Sequence, residues 1–270
     1  MNLTQLLTIM VASGLAFCFI MALAWLIERK TGNAGWVDVC WALAVGLIGV
    51  AGSLATIPQA HGSRPWLTGA LAAFWSIRLA AHIGLRTWSG TDDPRYARLR
   101  KDWGSQAAFR MFQFLQIQAL VSIPLVVSII LAAWNPAPGF RAQDGLAVAI
   151  LLVAICGEGL ADYQLRLFRQ SPENKGKLCE TGLWRWSRHP NYFFQALGWT
   201  AYPLFAIDFT GNYPVGFLAV SAPLCMYYLL TRVSGIPPLE EIMAEKYGEE
   251  FSRYRRQTNA FFPGPRQYIK

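Results

Sequence analysis

Asp38, set between Trp36 and Trp41, opens a long apolar stretch, and a carboxyl group in that position can do chemistry. An ionisable group at the centre of hydrocarbon costs on the order of 3 kcal/mol, so each one inside an apolar segment is a functional candidate. Two more sets share the pattern. Arg78, His82 and Arg86 follow one another at steps of four, which places them on one face of a helix. Glu158, Asp162, Arg166 and Arg169 follow at steps of four, four and three and form a second polar stripe. Pairing of Arg and Asp across helices, or snorkelling to the interface, is the structural alternative for both sets.

The densest local signal runs from Gly182 through Leu183, Trp184, Arg185, Trp186, Ser187, Arg188, His189, Pro190 and Asn191 to Tyr192. Pro190 suits the first turn of a helix, where its missing N–H would be unpaired anyway, with His189 or Ser187 at or beside the N-cap. A helix start combines open N–H groups with partial positive charge, and Arg185 and Arg188 add full charges, so an anionic ligand is the expected occupant. An interfacial Arg/Trp belt is the alternative, but a belt needs neither Asn191 nor Gln195 on the following turn. Beyond the last apolar stretch, the run Arg232 to Glu241 breaks the helix. Residues 246–254 then read as a short amphipathic helix that lids a site or lies on headgroups. The stretch 86–112, with Asp92, Asp93, Pro94, Arg95, Tyr96, Arg98, Arg100 and Lys101, reads as a solvated loop. Cys18, Cys40, Cys156, Cys179 and Cys225 stand singly, and His61, His82 and His189 are far apart, so no metal is expected.

These residues need a membrane around them. Of 270 residues, 54% are hydrophobic and 15% charged, against about 45–50% and about 25% in a soluble domain, and the excess must face lipid. Seven stretches approach the roughly 20 apolar residues that cross a bilayer: 6–27, 38–56, 66–84, 115–134, 145–162, 191–207 and 214–231. Trp25, Glu28, Arg29 and Lys30 follow the first one in place of a cleavage site, so it reads as a retained helix. With the N-terminus outside, 21 Lys and Arg fall on the cytoplasmic side and only Arg64 and Arg141 outside, with Arg78 inside a helix. That is a positive-inside bias, and it accounts for the net charge of +8 without nucleic acid. The expected fold is all-α, a polytopic bundle of about seven helices with a cytoplasmic C-terminus. It forms one membrane domain over 1–270, with substrate-side helices and a loop in 1–112 and the remaining helices, the cofactor site and a C-terminal helix in 113–270.

Asp162, Tyr163, Leu165, Arg166 and Arg169, then Gly182, Leu183, Ser187 to Tyr192, Gln195, Gly198 and Trp199, resemble the carboxy-terminal half of the steroid 5-alpha-reductase family. The Trp36-Val37-Asp38 opening and the run Arg232 to Glu241 resemble its bacterial branch, once catalogued as a domain of unknown function. The resemblance covers most of the chain and is most specific over 158–199. It implies reduction by NADPH of a carbon–carbon double bond conjugated to a ketone, typically in a 3-oxo-4-ene steroid or similar lipid enone, within a seven-helix bundle of the bacterial inner membrane. The cofactor enters from the cytosol, the substrate comes from the lipid, and a monomer is expected. By the resemblance, Asp162, Arg166, Arg169, Asn191, Gln195 and Trp199 match the cofactor-contacting pattern. The polar stripes and the motif add Arg78, Arg86, Glu158, Arg188, His189 and Tyr192 to the cofactor set. Gln195 stands where the animal enzymes have Glu, and Glu158 where they have Asn.

Hydride transfer to an enone builds negative charge on the ketone oxygen, so the site needs a donor there. Asp38 is the first candidate and His82 the second, with Tyr96, Tyr163 and Tyr192 as further donors. The Arg-His-Pro-x-Tyr element also occurs in isoprenylcysteine methyltransferases, which makes an S-adenosylmethionine-dependent methyltransferase the alternative. Without a GxGxxG or Walker sequence, Arg166, Arg169, Arg185 and Arg188 would have to hold the phosphates. S-adenosylmethionine has none, so the arginines favour NADPH.

Overall fold

Ala42, Gly46, Gly49 and Ser53 recur at steps of four, three and four, and all four are buried. On an α-helix this spacing is one face, and a face of small residues lets another helix come close. The computed structural model describes residues 3–55, 62–90 and 92–267. In it α2 (Gly35–Leu54) and α3 (Arg64–Trp88) pack antiparallel along that face. Gly35 lies against Thr87, Val39 against Gly84, Gly46 against Ser76 and Ser53 against Gly69, a constant register along the pair. The Ser76 hydroxyl donates to the Ala42 carbonyl at 2.8 Å, so the register is locked by a hydrogen bond as well as by fit.

The chain divides into two compact units. The first, Met1–Gly145 with Tyr202–Cys225, holds α1 (Leu3–Thr31), α2, α3, α4 (Pro94–Trp103), α5 (Ala107–Val121) and α6 (Ile123–Ala133). On α1, Val11, Leu15 and Phe19 are 61%, 69% and 66% exposed, whereas Phe17, Met21 and Ala24 are fully buried. An exposed stripe this apolar makes physical sense only against lipid. At the Arg64 end of α3, the guanidinium pairs with Asp144 at 2.8 Å and donates to the carbonyls of Asn135, Ala137 and Gly139. Arg141 reaches the same carboxylate at 2.7 Å.

The second unit, Leu146–Ala201 with Met226–Lys270, holds most of α7 (Ala142–Gln170), α8 (Pro190–Trp199) and α11 (Ile236–Gln257). At 1.5 Å per residue, α7 is about 43 Å long, so it outruns roughly 30 Å of hydrocarbon and carries Arg166 and Arg169 past its polar stripe. Helix α10 (Ser221–Tyr228) runs into a π-helical turn, Leu229–Val233, which precedes α11. Gly235 ends that turn where a Cβ would lie 2.4 Å from the Leu230 carbonyl oxygen, so only glycine fits.

The protein is therefore an all-helical membrane protein, with no strand among the described residues. Five helical runs are long and apolar enough to cross a bilayer: Thr4–Thr31, Gly35–Leu54, Pro94–Ala133, Ala142–Gln170 and Pro214–Gln257. The other two expected stretches are helical but different in kind. Arg78 and His82 lower the apolarity of α3, and residues 190–206 break at Thr200 into α8 and the short α9 (Ala201–Ala206). The expected loop between α3 and α5 is also corrected. Asp93 accepts from the Arg95 backbone N–H and Pro94 occupies the first turn, so residues 94–103 form a capped helix, α4.

Replacing Gly46 by Leu should lower unfolding stability in detergent by about 1–3 kcal/mol, because the added side chain overlaps Ser76. Leu47→Ala, at a position 65% exposed, should stay within about 0.5 kcal/mol of wild type. Equal melting shifts for the two variants would remove the close helix contact from the account.

Candidate functional site

In the first unit the sequence collects its carboxylates where α2, α3 and α4 meet. Asp38, in the first turn of α2, accepts from Arg95 Nη2 at 2.8 Å through one oxygen and from the Tyr96 hydroxyl at 2.8 Å through the other. Tyr96 is only 5% exposed, and its ring packs edge-on against Phe114 at 6.1 Å. Arg95 also binds Asp93 through Nε at 2.9 Å, and Arg86 reaches Asp93 at 3.2 Å. Burial would raise the Asp93 carboxyl, but the Arg95 guanidinium, its hydrogen bonds and Arg86 outweigh burial and hold Asp93 below the usual carboxylate range. Asp92 accepts from the backbone N–H of Ala34 at 2.9 Å and pairs with Arg100, which binds the buried Glu28 at 2.9 Å. Arg78 and His82 stand half-buried on α3, two turns and one turn before Arg86 respectively.

In the second unit α7 and α8 run antiparallel, with Phe194 against Gly157 and Gly198 against Leu151 and Ala154. That register sets the polar stripe of α7 against Asn191 and Gln195 on α8, rung by rung. Asn191 Nδ2 donates to Asp162 at 3.3 Å. One turn on, the end of the Gln195 amide lies 2.9 and 3.1 Å from the two Glu158 oxygens, and only its nitrogen can donate to a carboxylate there. Glu158, Asp162 and Gln195 are buried at 5%, 8% and 8%, while Arg166 and Arg169 beyond them are exposed. Arg166 lies over the Tyr163 ring at 5.4 Å. Trp199, the last residue of α8, is only 2% exposed.

The segment leading into α8 is fixed from behind. Gly182 has φ +57°, which favours glycine, and a Cβ there would meet the Gln164 side chain at 2.5 Å. Gln164 accepts from the Leu183 N–H at 2.9 Å, and the Trp184 indole donates to the Ala161 carbonyl at 3.0 Å. Pro190 takes the first turn of α8 and His189 its N-cap, without a side-chain cap. Tyr192 stacks on His189 at 5.5 Å with ring planes 10° apart, and its N–H bonds to Asn191 Oδ1 at 3.0 Å.

Arg188 does not lie open at this helix start. Its guanidinium binds Glu240 at 2.8 Å and the carbonyls of Arg255 and Thr258. Its backbone N–H bonds to Asn259 at 2.9 Å. His189 Nε2 meets the same Glu240 oxygen at 3.0 Å. Burial depresses the His189 pKa, and the Glu240 carboxylate only partly offsets that, so the neutral ring donates to Glu240. Arg185 remains exposed.

Each unit thus gathers part of the expected set: Asp38 with Tyr96, and Glu158, Asp162, Asn191 and Gln195 with one another. Arg95, Asp93, Glu28 and Glu240 are the participants that sequence reasoning left out. Asp93 before Pro94 was the available signal, since Asp followed by Pro marks a helix start. Among the described residues, no three His, Cys, Asp or Glu gather to hold a metal, and His61 lies outside those residues.

A family model described as a protein of unknown function (DUF1295) matches residues 24–258. No curated protein and no solved structure matches the chain.

Two outcomes test this geometry. Glu240→Ala leaves Arg188 without its buried counter-charge and should cost about 3 kcal/mol or more, read as a lower unfolding midpoint in detergent. Because the folded protein holds His189 below its unfolded pKa, that contribution is complete above about pH 6.5 and is lost on acidification. The melting temperature should therefore drop between about pH 7 and about pH 5, and the slope should shrink in His189→Gln. A flat wild-type profile would mean that His189 is not held neutral.

Proposed function

The chain belongs to the DUF1295 family, whose description assigns no activity, and we propose that it is an NADPH-dependent reductase of the steroid 5-alpha-reductase type. The reaction is reduction of the double bond of a lipid enone, with 3-oxo-4-ene steroids as the substrate class. The observation that carries this reading is the ladder of Asp162–Asn191 and Glu158–Gln195, continued on α7 by exposed Arg166 and Arg169. Those are the positions that the family resemblance gives to the cofactor. The residue types fit the group. Exposed guanidinium groups at Arg166, Arg169 and Arg185 suit phosphates, and buried carboxylates and amides suit ribose hydroxyls and a carboxamide.

NADPH, when bound, supplies the hydride that reaches the β-carbon of the enone. The chain's own task is to place the substrate, keep water out and put a donor at the ketone oxygen while the α-carbon takes a proton. Both oxygens of Asp38 accept from neighbours, so the donor role passes to Tyr96, whose single O–H bonds to Asp38 at 2.8 Å and would turn from that carboxylate to the ketone oxygen when substrate enters. Arg95 fixes Asp38 from the other side. His82 remains a second donor candidate on α3.

The proposal includes seven crossings, N-terminus outside, in a bacterial inner membrane, with α3 and the broken α8–α9 stretch added to the five longer runs. The 21-to-2 distribution of basic residues supports that orientation. Substrate then comes from the lipid and cofactor from the cytosol.

Purified protein in detergent should oxidise NADPH only when a 3-oxo-4-ene steroid is present. Arg169→Ala and Asn191→Ala should each raise the KM for NADPH roughly tenfold, while Asp38→Asn lowers kcat by about 10²-fold with little change in KM. If no such steroid supports oxidation and labelled S-adenosylmethionine instead transfers its methyl group to a lipid acceptor, the chain is a methyltransferase and the reductase reading is wrong.

A further inference from the structure

Three arginines on α4 and at the end of α3 face carboxylates: Arg86 meets Asp93, Arg95 meets Asp38 and Asp93, and Arg100 meets Glu28 and Asp92. Arg110, at the start of α5, is different. Its only hydrogen bond among the described residues runs from Nε to the Gln106 side chain at 2.9 Å, and no carboxylate pairs with it. The terminal guanidinium nitrogens of Arg110, the Gln113 amide and the Trp103 indole N–H all lack an acceptor among those residues. All three residues line one groove of about 540 Å³.

The groove has a direction. Gln106, Arg110, Gln113 and Ile117 recur at steps of four, three and four, so they form one stripe that runs from polar to apolar along α5. Phe109 and Ile117, at 65% and 62% exposed, form its apolar walls, and the Phe114 ring meets Trp103 at 6.2 Å. From Ile117 to the end of α6 the chain carries no charged residue and is mostly apolar. Exposed donors with no acceptor from the described residues at one end and apolar walls at the other suit an amphipathic anion. No acidic side chain lines the groove, so a headgroup that carries an ammonium finds no counter-charge there.

We propose that this groove is a binding site for a glycerophospholipid of net negative charge. Its phosphodiester oxygens accept from Arg110 and Gln113, and one acyl chain lies along Phe109 and Ile117. A guanidinium binds phosphate through paired N–H bonds, and removing water from the headgroup side strengthens them. The site uses no residue assigned to hydride transfer, and its occupancy does not depend on that activity.

The test is native mass spectrometry of the full chain in detergent, titrated with phosphatidylglycerol or with phosphatidylcholine. Wild type should bind phosphatidylglycerol in preference to phosphatidylcholine. Arg110→Ala combined with Gln113→Leu should weaken phosphatidylglycerol binding roughly five- to tenfold and abolish the preference. Arg110→Lys should retain most of it, and Lys101→Ala, an exposed position outside the groove, should match wild type. Equal binding of the two lipids by wild type, or unchanged phosphatidylglycerol binding in the double variant, would overturn the proposal. Should the double variant lose its melting transition, Arg110→Glu alone decides by the same comparison, with reduced phosphatidylglycerol binding expected and wild-type binding fatal.

Discussion

The shared guanidinium of Arg95 is the contact on which the first unit turns. It joins Asp38 in the first turn of α2 to Asp93, the cap of α4, and α4 in turn presents Tyr96 to Asp38 and Arg100 to Glu28. A charge held near hydrocarbon must be neutralised by a partner of fixed geometry, because the medium that would otherwise solvate it is absent. In a helical membrane protein that requirement does much of the positioning that hydrophobic burial does in a soluble one, since lipid tails are as apolar as the core. The close packing of α2 on α3 complements it. The small-residue face sets the register, and the register brings Asp38 near the end of α3.

The second unit solves the same problem with amides. Its two buried carboxylates on α7 meet Asn191 and Gln195 on α8, and both rungs follow from one antiparallel register. Donors of this kind satisfy a carboxylate oxygen without themselves carrying a charge. The α7 stripe and the Asn191–Gln195 pair, read separately in sequence, are in space one feature.

Some of this was legible in the sequence and some was not. Periodicity exposed the stripes at 78–86 and 158–169, because helix geometry converts steps of three and four directly into a face. Pro190 marked the start of α8 for an equally local reason. The partners were hidden. Nothing local in the sequence says that Asp38 meets Arg95 and Tyr96, 57 and 58 residues away, or that Arg188 meets Glu240, 52 residues on. Composition misled at 92–103, where mixed charge suggested solvent, although Asp93 and Pro94 were spelling out a cap.

Arg188 shows why charge near a helix start is a poor guide to a ligand. Its guanidinium and the Glu240 carboxylate cancel, and His189 beside them is neutral, so the group adds little net field at the α8 N-terminus. What it adds is restraint. Arg188 holds the carbonyls of Arg255 and Thr258, Ser187 donates to the Phe261 carbonyl, and Gly264 bonds back to Trp186. The chain after α11 is thereby tied across the segment that leads into Asn191 and Gln195. Arg166, Arg169 and Arg185 on this unit are exposed where Arg188 is buried, and an exposed guanidinium on a long side chain adapts to a ligand more readily than a buried one. Rigid support and adaptable charge are thus supplied by different arginines, and only burial tells them apart.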